Sequence, residues 1–554
     1  MKFTLINRAK QEAFALPTVL IASVVMLIVL LSAVSASSSI RAAIDSQYYN
    51  QIAREAVESG LTLATECLRK NANPGWTDAS PLRPGSSCNG SSTESGYIID
   101  TPTLKTSFTV GSYSIDADGR TTFNAKGVVS LRRASDSTQV VQTYNQATTR
   151  YVQIVPLVTA MWGNYAHTCA VASKQVFCWG DNTYGQLGDT TTTDHLTPQP
   201  IKYLNGLQAG TVIDIGVGNE HTCARAWSGG IRKLWCWGHN QYGQLGDGTV
   251  TSKSGPVLVT GLLAGLDIQD FSVGAYGTCA IAGSRTFCWG WNPDGQVGDG
   301  TTTDRASPTK ITGGTLGTQN VIDVATDNYH TCVVTSNADV TVQKAYCWGR
   351  NSYGQLGNGT TTNSLVPVQL SGSGITDVDI GSLHTCVLTY NAKLWCTGYN
   401  GEGALGQGDT TNRSTVAQVT AVYGATTMTT FSSFSLGGYQ TCAVVSGAVY
   451  NGKVFCWGRN VEPTDNTIAG DVGDGTKINR LSPTAVTATG VLAGKTIDTV
   501  AASGQYTCAF DTQQAAYCWG RNDFGQLGDG TTTTPRLNPV SVNTSLFNPV
   551  YTDF

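Results

Sequence analysis

The feature that most constrains the fold is a glycine-rich segment repeated through the second part of the chain. Close copies of WGDNTYGQLGDTTTTD begin at Trp179, Trp237, Trp289, Trp348 and Trp519. Two diverged copies complete a set of seven: CTGYNGEGALGQGDTTN begins at Cys396, and WGRN at Trp457 is followed by an insertion before GDGTK. Repetition at this interval is typical of solenoids, propellers and arrays.

Each copy stands within the same order of short apolar segments. Around the second copy the order is VIDIGVG, HTCAR, KLWCWG, the glycine-rich loop and GPVLV, which predicts four short strands. Four strands per repeat is the composition of a propeller blade, and a closed ring of seven blades leaves only short, protected edges. We therefore expect a mainly β fold, a seven-bladed β-propeller over residues 156–554. An open β-solenoid is the alternative.

The cysteines follow the repeats. Fourteen of the 16 cysteines form seven close pairs, and each pair brackets the hairpin between the predicted second and third strands. Directly opposed residues on such strands are near enough for a disulfide. We expect a disulfide in every repeat, and hence an oxidising compartment. The expected pairs are Cys169/Cys178, Cys223/Cys236, Cys279/Cys288, Cys332/Cys347, Cys386/Cys396, Cys442/Cys456 and Cys508/Cys518.

The WGxNxxGQLG signature closely resembles the repeats of the regulator of chromosome condensation family, whose fold is a seven-bladed propeller. The resemblance extends over the repeats of residues 156–554. The family includes a nucleotide exchange factor, a bacterial β-lactamase inhibitor and many uncharacterised surface proteins. The resemblance therefore implies the fold and leaves the function open.

The N-terminal segment has the composition of a membrane anchor. Residues 1–13 carry three basic side chains, and an apolar run follows from Phe14 to Val34. A run of this length can cross a hydrocarbon core about 30 Å thick, and the basic flank predicts that the rest of the chain lies outside the cytoplasm. Apolar residues continue at largely helical spacing, so we expect one long transmembrane helix over residues 14–66.

This segment resembles the N-terminus of type IV pilins and minor pilins. A basic leader, a small residue before Phe14, an apolar helix and an amphipathic helix ending near YYNQIAREA are the shared features. The resemblance implies cleavage between Ala13 and Phe14, other pilin subunits as partners and residence in the inner membrane before assembly. Thr18 stands where most pilins have a glutamate, a loss that a subunit at the filament tip would tolerate. A plain transmembrane anchor is the alternative.

Residues 67–155 change to alternating, strand-like runs separated by Gly, Asp and Ser turns. This pattern predicts a small antiparallel sheet, like the head of a pilin, that follows the helix. Cys67 and Cys88 would close a loop on that head.

The sequence contains no recognisable catalytic arrangement. His167, His221, His330 and His384 precede Thr-Cys at equivalent repeat positions. A catalytic site needs different groups that converge on one substrate, so this repetition favours a role in blade packing. We expect no catalytic residue and no cofactor, and no metal because zinc knuckles are absent. A net charge of −4 disfavours nucleic acid as a partner.

Binding is better supported than catalysis. Aromatic residues precede GQLG in four repeats and predict a ring of aromatic side chains on one face, with packing between blades as the alternative. These residues are Tyr184, Tyr242, Tyr353 and Phe524. Trp291 beside the motif tryptophan, and the insertion from Val461 to Val472 with its acidic residues Glu462, Asp465 and Asp471, are further candidates for specificity.

Taken together, these patterns predict a minor type IV pilin that displays the propeller as an adhesin or host-contact module. It would lie in the cell membrane before assembly and then in the pilus or at the cell surface, with a glycan or a protein as its extracellular ligand. The alternative is a membrane-anchored extracellular propeller that binds or inhibits another protein and has no connection with pili. An exchange factor is disfavoured because it would need exposure to the cytosol, and no residue is nominated for an enzyme acting on surface polymers.

Overall fold

The computed structural model describes residues 38–70, 76–77, 79–84, 88, 97–115, 120–133, 136–153, 158–423, 426–447, 451–461, 470–513, 515–544 and 547. These residues fall into two compact units, divided between Ile154 and Val155. The predicted leader of residues 1–13, its cleavage point between Ala13 and Phe14, and the apolar run of residues 14–34 lie outside the described residues.

The first unit is a helix packed on an antiparallel sheet. The helix is Ser38–Lys70, and the strands, in spatial order, are Ile99–Asp100, Leu104–Ile115, Arg120–Arg133 and Asp136–Gln153. Gly127 allows close approach, because a Cβ there would stand 2.0 Å from the carbonyl oxygen of Ala53 on the helix. Within the described residues, no helix has the length and apolar character needed to cross a membrane.

The second unit contains seven four-stranded antiparallel sheets, each built from strands consecutive in the chain. Blade 1 is formed by Val158–Asn164, His167–Ala172, Gln175–Gly180 and His195–Pro200, and blade 2 by Val212–Val217, His221–Ser228, Ile231–Gly238 and Lys253–Leu258. Blade 3 is formed by Ile268–Val273, Gly277–Ala282, Arg285–Gly290 and Arg305–Lys310. Blade 4 is formed by Val321–Thr326, His330–Thr335, Lys344–Gly349 and Ser364–Gln369. Blade 5 is formed by Ile375–Ile380, His384–Thr389, Leu394–Gly398 and Arg413–Gln418. Blade 6 is formed by Phe431–Leu436, Gln440–Val445, Val454–Gly458 and Arg480–Ala485. Blade 7 is formed by Ile497–Ala502, Tyr506–Asp511, Ala516–Gly520 and Arg536–Ser541. A short ribbon of Ala421–Tyr423 and Thr426–Met428 separates blades 5 and 6.

Adjacent blades are joined through the repeat motif. The indole N–H of Trp237 in blade 2 donates to the backbone carbonyl oxygen of Gln186 in blade 1, at 2.9 Å. The glycine after this loop is required, because a Cβ on Gly188 would stand 2.6 Å from the same indole nitrogen. Blade 5 has Thr397 in place of the tryptophan. Its hydroxyl lies 2.7 Å from the carbonyl oxygen of Arg413 in its own blade and 3.1 Å from that of Gly354 in blade 4, so one proton is shared between the two acceptors. The motif is therefore the joint between blades.

The disulfides lie inside the blades. All 16 cysteines are paired in the combinations expected from the sequence, including Cys67 with Cys88 in the first unit. In each blade the two cysteines are directly opposed on the second and third strands, as Cys223 and Cys236 are in blade 2. From blade 1 to blade 7 the bonds are Cys169–Cys178, Cys223–Cys236, Cys279–Cys288, Cys332–Cys347, Cys386–Cys396, Cys442–Cys456 and Cys508–Cys518.

The third-strand cysteine also marks an irregularity that the sequence did not predict. In every blade the pairing of the third and fourth strands shifts register just after this cysteine, as at a β-bulge. The shifts fall between Cys178 and Gly180, Cys236 and Gly238, Cys288 and Gly290, Cys347 and Gly349, Cys396 and Gly398, Cys456 and Gly458, and Cys518 and Gly520. The two ends of the third strand therefore pair with the fourth strand in different registers.

The architecture agrees with the repeat pattern. The predicted mainly β fold of repeated four-stranded sheets is confirmed. Among the described residues the one α-helix is Ser38–Lys70, and Gly261–Leu263, Val340–Val342 and Gly490–Leu492 are short 3-10 helices. The expected helix over residues 14–66 is therefore not seen as one element, and its residues 14–37 lie outside the described residues.

Candidate functional site

The aromatic residues before GQLG are held by hydrogen bonds inside the repeat loop. In blade 1 the side-chain oxygen of Gln186 accepts from the backbone N–H of Tyr184 at 2.8 Å. Asn182 is fully buried, and its side chain accepts from the N–H of Leu187 while donating to carbonyl oxygens across the loop. Equivalent bonds recur in the other regular repeats. The loop is therefore ordered before any partner arrives, which reduces the entropy cost of binding.

Aromatic side chains of four consecutive blades form a continuous surface at one end of the propeller. We call this surface the aromatic arc, and it comprises Tyr184, His239, Tyr242, Tyr276, Trp291 and Tyr329. Ring centroids are 4.5 Å apart for Tyr184 and His239, and 5.6 Å apart for Tyr242 and Tyr276. Trp291 contacts Tyr329 of the next blade at 5.9 Å. Tyr184 is 39% exposed and the other rings are half-buried. Each ring is therefore packed against the protein on one side and accessible to solvent on the other.

The arrangement continues less regularly from blade 4 around the rest of the ring to blade 1. Tyr353, Tyr399 and Tyr439 are in contact in series, with centroid distances of 5.0 and 5.9 Å. The guanidinium of Arg521 lies between the rings of Tyr165 and Phe524, at 5.3 Å from each centroid.

The structure thus brings three of the predicted binding residues, Tyr184, Tyr242 and Trp291, into the arc, and places Tyr353 and Phe524 at the same end of the ring. Sequence reasoning missed Tyr276 and Tyr329, which come from the turn between the first and second strands. Their signal is an aromatic residue directly before the position that histidine occupies in HTC, as in YGTC and YHTC.

The disulfide cysteines, which the sequence singled out by their pairing, take no part in this surface. Cys178, Cys288, Cys456 and Cys518 are at most 1% exposed. Each lies in the same buried apolar cluster as the motif tryptophan of the next blade around the ring, which is Trp237, Trp348, Trp519 and Trp179 in turn. These buried cysteines therefore belong to the apolar packing between blades, while each disulfide joins two strands of a single blade.

The insertion in blade 6 is only partly described. Glu462 and Asp465 lie outside the described residues. Asp471 is buried, and its backbone carbonyl oxygen accepts from the indole of Trp519 and the hydroxyl of Thr507, both at 3.0 Å. Asp471 therefore occupies the joint position that glutamine holds in the regular repeats.

The four repeated histidines are buried links between blades. Nε2 of His167 lies 2.9 Å from the hydroxyl of Thr222 in the next blade, and that hydroxyl donates to the carbonyl oxygen of Gln186. Because the hydroxyl proton is used on the carbonyl, the imidazole must be the donor. Burial lowers the pKa of His167 to about 4. His221, His330 and His384 repeat the contact and have pKa values of about 3 for the same reason. These rings are neutral packing elements, as their repetition suggested.

The first strands of the blades surround a cavity of about 530 Å³. One mouth of the cavity opens beside the arc, where Tyr165, Tyr329 and Tyr439 are among its lining residues. The deeper wall carries aspartate side chains from blades 2 to 5. Among the described residues, no group of three or more His, Cys, Asp or Glu side chains could hold a metal ion.

The geometry defines a class: a ring of seven disulfide-bonded blades whose preordered loops present aromatic side chains at one end. Its repeats belong to the regulator of chromosome condensation (RCC1) type. Two RCC1-repeat models match, the first over residues 174–225, 233–281, 284–334, 344–388 and 515–551, and the second over residues 321–355, 375–404 and 497–526.

Similar proteins share this propeller. The ultraviolet-B receptor UVR8 of Arabidopsis thaliana is 29% identical over 371 residues, which are 66% of this chain and 77% of UVR8. The E3 ubiquitin-protein ligase HERC2 of Homo sapiens is 30% identical over 42% of this chain, but the match covers only 5% of HERC2. Among solved structures, human WBSCR16 has a TM-score of 0.53 at 20% identity and covers 66% of this chain and 89% of that protein. Prp20p of Saccharomyces cerevisiae has a TM-score of 0.54 at 18% identity and covers 67% and 86%. These two structures support the fold.

The comparisons correct the function predicted from the N-terminal sequence. The prediction of a minor type IV pilin is wrong, because the matches are to RCC1 repeats and to proteins that carry them, which favours the alternative of a propeller unconnected with pili. The predicted location in the membrane, the pilus or the cell surface is wrong for the same reason, and pilin subunits are not supported as partners. The expected transmembrane helix has no counterpart among the helices that the structure describes. The physical reason is that an apolar run after a basic flank is common to many membrane anchors and targeting segments, so it does not identify a pilin.

Proposed function

We propose that the propeller is a protein-binding module that docks a partner protein on the aromatic arc. The observation that carries the proposal is the continuity of the arc across four blades, from Tyr184 to Tyr329. Tyrosine and tryptophan dominate the binding energy of protein interfaces, because they bury a large area at a low cost in side-chain entropy.

The loops beneath the arc support the same proposal. Each loop is fixed by its buried asparagine and glutamine, so docking would not have to order it. Relatives of the same fold also bind proteins: the structure of Prp20p is described with its binding to Gsp1p and histones. Enzymatic activity is not part of the proposal, since the match to the ligase HERC2 is confined to the propeller repeats.

Site-specific photocrosslinking in cells that make the protein tests this function. A photoreactive phenylalanine analogue at Tyr242 should capture a partner in a discrete band. The matched control is the same analogue at Tyr390, which is 53% exposed and lies at the opposite end of the ring, in the hairpin between the second and third strands of blade 5.

A second substitution makes the test specific to the arc. Trp291→Ala should abolish the band captured from position 242 while leaving the unfolding midpoint nearly unchanged. Equal capture from positions 242 and 390, or capture that survives Trp291→Ala in a folded protein, would contradict docking on the arc.

A further inference from the structure

The wall of the central cavity is acidic on one side only. The third residue of the first strand is an aspartate in four consecutive blades and is neutral in the other three. The residues at this position are Asp214, Asp270, Asp323 and Asp377 in blades 2 to 5, Ser433 and Thr499 in blades 6 and 7, and Ala160 in blade 1. The negative charge therefore forms a continuous patch beneath blades 2 to 5, which overlaps the blades that carry the arc.

Little of this charge is neutralised within the protein. Arg225 forms an ion pair with Asp214 at 3.2 Å. Among the described residues, Asp270, Asp323 and Asp377 have no salt bridge to a basic side chain. The carboxyl groups of Asp323 and Asp377 face each other, and burial together with this neighbour raises the pKa of Asp323 well above its usual value. The pair therefore retains a proton, and a cation that reaches it can take the place of that proton.

Part of the acidic lining already has a structural role. The carboxylate of Asp323 accepts from the backbone N–H of Val378 in the next blade at 2.9 Å, and Asp379 does the same for Leu436 at 2.8 Å. These bonds satisfy N–H groups on the unpaired inner edge of the first strands. Asp377 shares a side-chain hydrogen bond with Asp323 of the preceding blade. Within the described structure, Asp270 makes no hydrogen bond to a backbone N–H of a neighbouring blade, so the tethering of strands does not explain its presence.

The mouth of the cavity suits a cation as well. Tyrosine faces at this end already bind guanidinium groups, since Arg350 lies 5.0 Å from the ring centroid of Tyr329 and Arg459 lies 4.6 Å from that of Tyr439. In blade 3, the described structure places no such arginine over Tyr276 or Trp291. A positive side chain that enters here would pass aromatic faces before it reaches the carboxylates.

We propose that the cavity receives a lysine or arginine side chain that projects from the partner protein docked on the aromatic arc. The inference rests on the proposed function, because the arc supplies the docking and the cavity then selects a partner with an exposed basic residue. A volume of about 530 Å³ accepts such a side chain with its water. The acidic wall supplies charge complementarity, which determines specificity more than bulk affinity.

Titration gives the complex a pH dependence. Burial raises the pKa of Asp214 and Asp327 to about 6 and that of Asp379 to about 7. Affinity should therefore rise from pH 5 to pH 8 as these carboxyl groups ionise. The charged groups that line the cavity are Asp214, Asp270, Asp323, Asp327, Asp377, Asp379 and Arg459. Arg225 is not part of the lining and acts through its ion pair with Asp214.

The test uses isothermal titration calorimetry to measure how tightly the whole chain binds a nine-residue peptide. The peptide has blocked termini and three arginines spaced along its length. A peptide with glutamines in place of the arginines is the control ligand. Asp270→Asn combined with Asp377→Asn should weaken binding of the arginine peptide about tenfold or more at pH 8. Asp498→Asn, which removes one carboxylate from the first strand of blade 7 outside the cavity lining, should leave the affinity unchanged.

Several outcomes would overturn the proposal. Equal binding by the double asparagine variant, no binding of the arginine peptide by the parent protein, or equal binding of the glutamine peptide would each do so. If free spermine bound more tightly than the arginine peptide, and if Trp291→Ala did not change its affinity, the cavity would be a site for small cations instead. The double variant could still capture the crosslinked partner at full yield while Trp291→Ala does not. That result would support docking on the arc and contradict the proposal that a basic side chain enters the cavity.

Discussion

Trp179 in blade 1 donates its indole N–H to the backbone carbonyl oxygen of Gln526 in blade 7, at 2.9 Å. This is the same joint that links every other pair of regular blades, and here it closes the ring. No strand is shared between the two ends of the propeller, since blades 1 and 7 are each formed from consecutive strands. Closure therefore rests on contacts between complete blades, which include a backbone hydrogen bond from the N–H of Gly530 in blade 7 to the carbonyl oxygen of Leu196 in blade 1 at 3.3 Å. Thr168 adds a hydroxyl bond to the carbonyl oxygen of Gln526 at 2.7 Å.

Tyr506 is the second element of this closure, and its removal should weaken the ring. Its hydroxyl donates to the carbonyl oxygen of His167 at 2.7 Å and lies 2.6 Å from the hydroxyl of Thr168. Tyr506→Phe should lower the free energy of unfolding by about 2 kcal/mol, because buried polar groups lose their partner. Urea denaturation measures the effect, and Tyr390→Phe at an exposed position should change nothing. An unchanged midpoint for Tyr506→Phe would show that the hydroxyl does not contribute to closure.

Gly188 tests the close contact at the joint between blades 1 and 2. Both Gly188 and Gly206 have positive φ angles, of 73° and 85°. A Cβ on Gly206 would meet nothing within 4 Å, whereas one on Gly188 would collide with Trp237. Gly206→Ala should therefore cost only the backbone strain of about 1 kcal/mol, and Gly188→Ala should cost about 2 kcal/mol more. Equal losses in thermal or urea denaturation would mean that the motif glycine serves the turn alone.

The blade disulfides should contribute separately to stability. Cys332 and Cys347 are 15 residues apart, and a loop of this size is worth about 3 kcal/mol when it is closed. The double substitution Cys332→Ala, Cys347→Ala should lower the free energy of unfolding by about this amount under oxidising conditions. Repeating the measurement on parent and variant with a reductant separates the lost bond from lost packing. A difference that persists unchanged in the reductant would assign the effect to packing.

Much of the propeller could be predicted from the sequence, because comparison of the seven copies shows which positions recur in every blade. The spacing of Cys223 and Cys236 across one hairpin predicts opposed strand positions, and the regular order of apolar segments predicts four strands. The outer position of the last strand follows from prolines such as Pro256, whose missing N–H suits a sheet edge. These features depend on local chemistry that the sequence displays directly.

The site was predicted only in part, because it depends on contacts between repeats. Tyr242 could be recognised from its loop, but its neighbours Tyr276 and Trp291 come from a different blade and meet it only after the ring closes. The acidic wall was missed because Asp270 and Asp377 lie about 100 residues apart within short strands and look like ordinary polar positions. Asp471 stood out as an acidic loop residue, yet its backbone carbonyl, rather than its charge, makes its contacts with Trp519 and Thr507.

The buried histidines should make the propeller less stable in mild acid, and His330 isolates the effect. Its pKa falls from 6.5 to about 3 through burial, so in this pH range the unfolded chain binds a proton that the folded protein excludes. The stabilising contribution is complete above pH 6.5 and is lost as the pH falls toward 3. The cavity aspartates, whose pKa values are raised, have the opposite dependence: they favour folding below their ordinary pKa of 3.8, and this is lost as the pH rises through 6 to 7.

Comparison with His330→Gln removes the aspartate contribution, because it is common to both proteins. Blade 6 already carries Gln440 at this position, where its amide donates to the carbonyl oxygen of Ser503 at 2.7 Å, so glutamine suits the joint. Between pH 7.5 and pH 5.0 the parent should lose about 2 kcal/mol more than His330→Gln in urea denaturation. Parallel pH profiles would mean that His330 takes up its proton equally in the folded and the unfolded protein, which would contradict the lowered pKa.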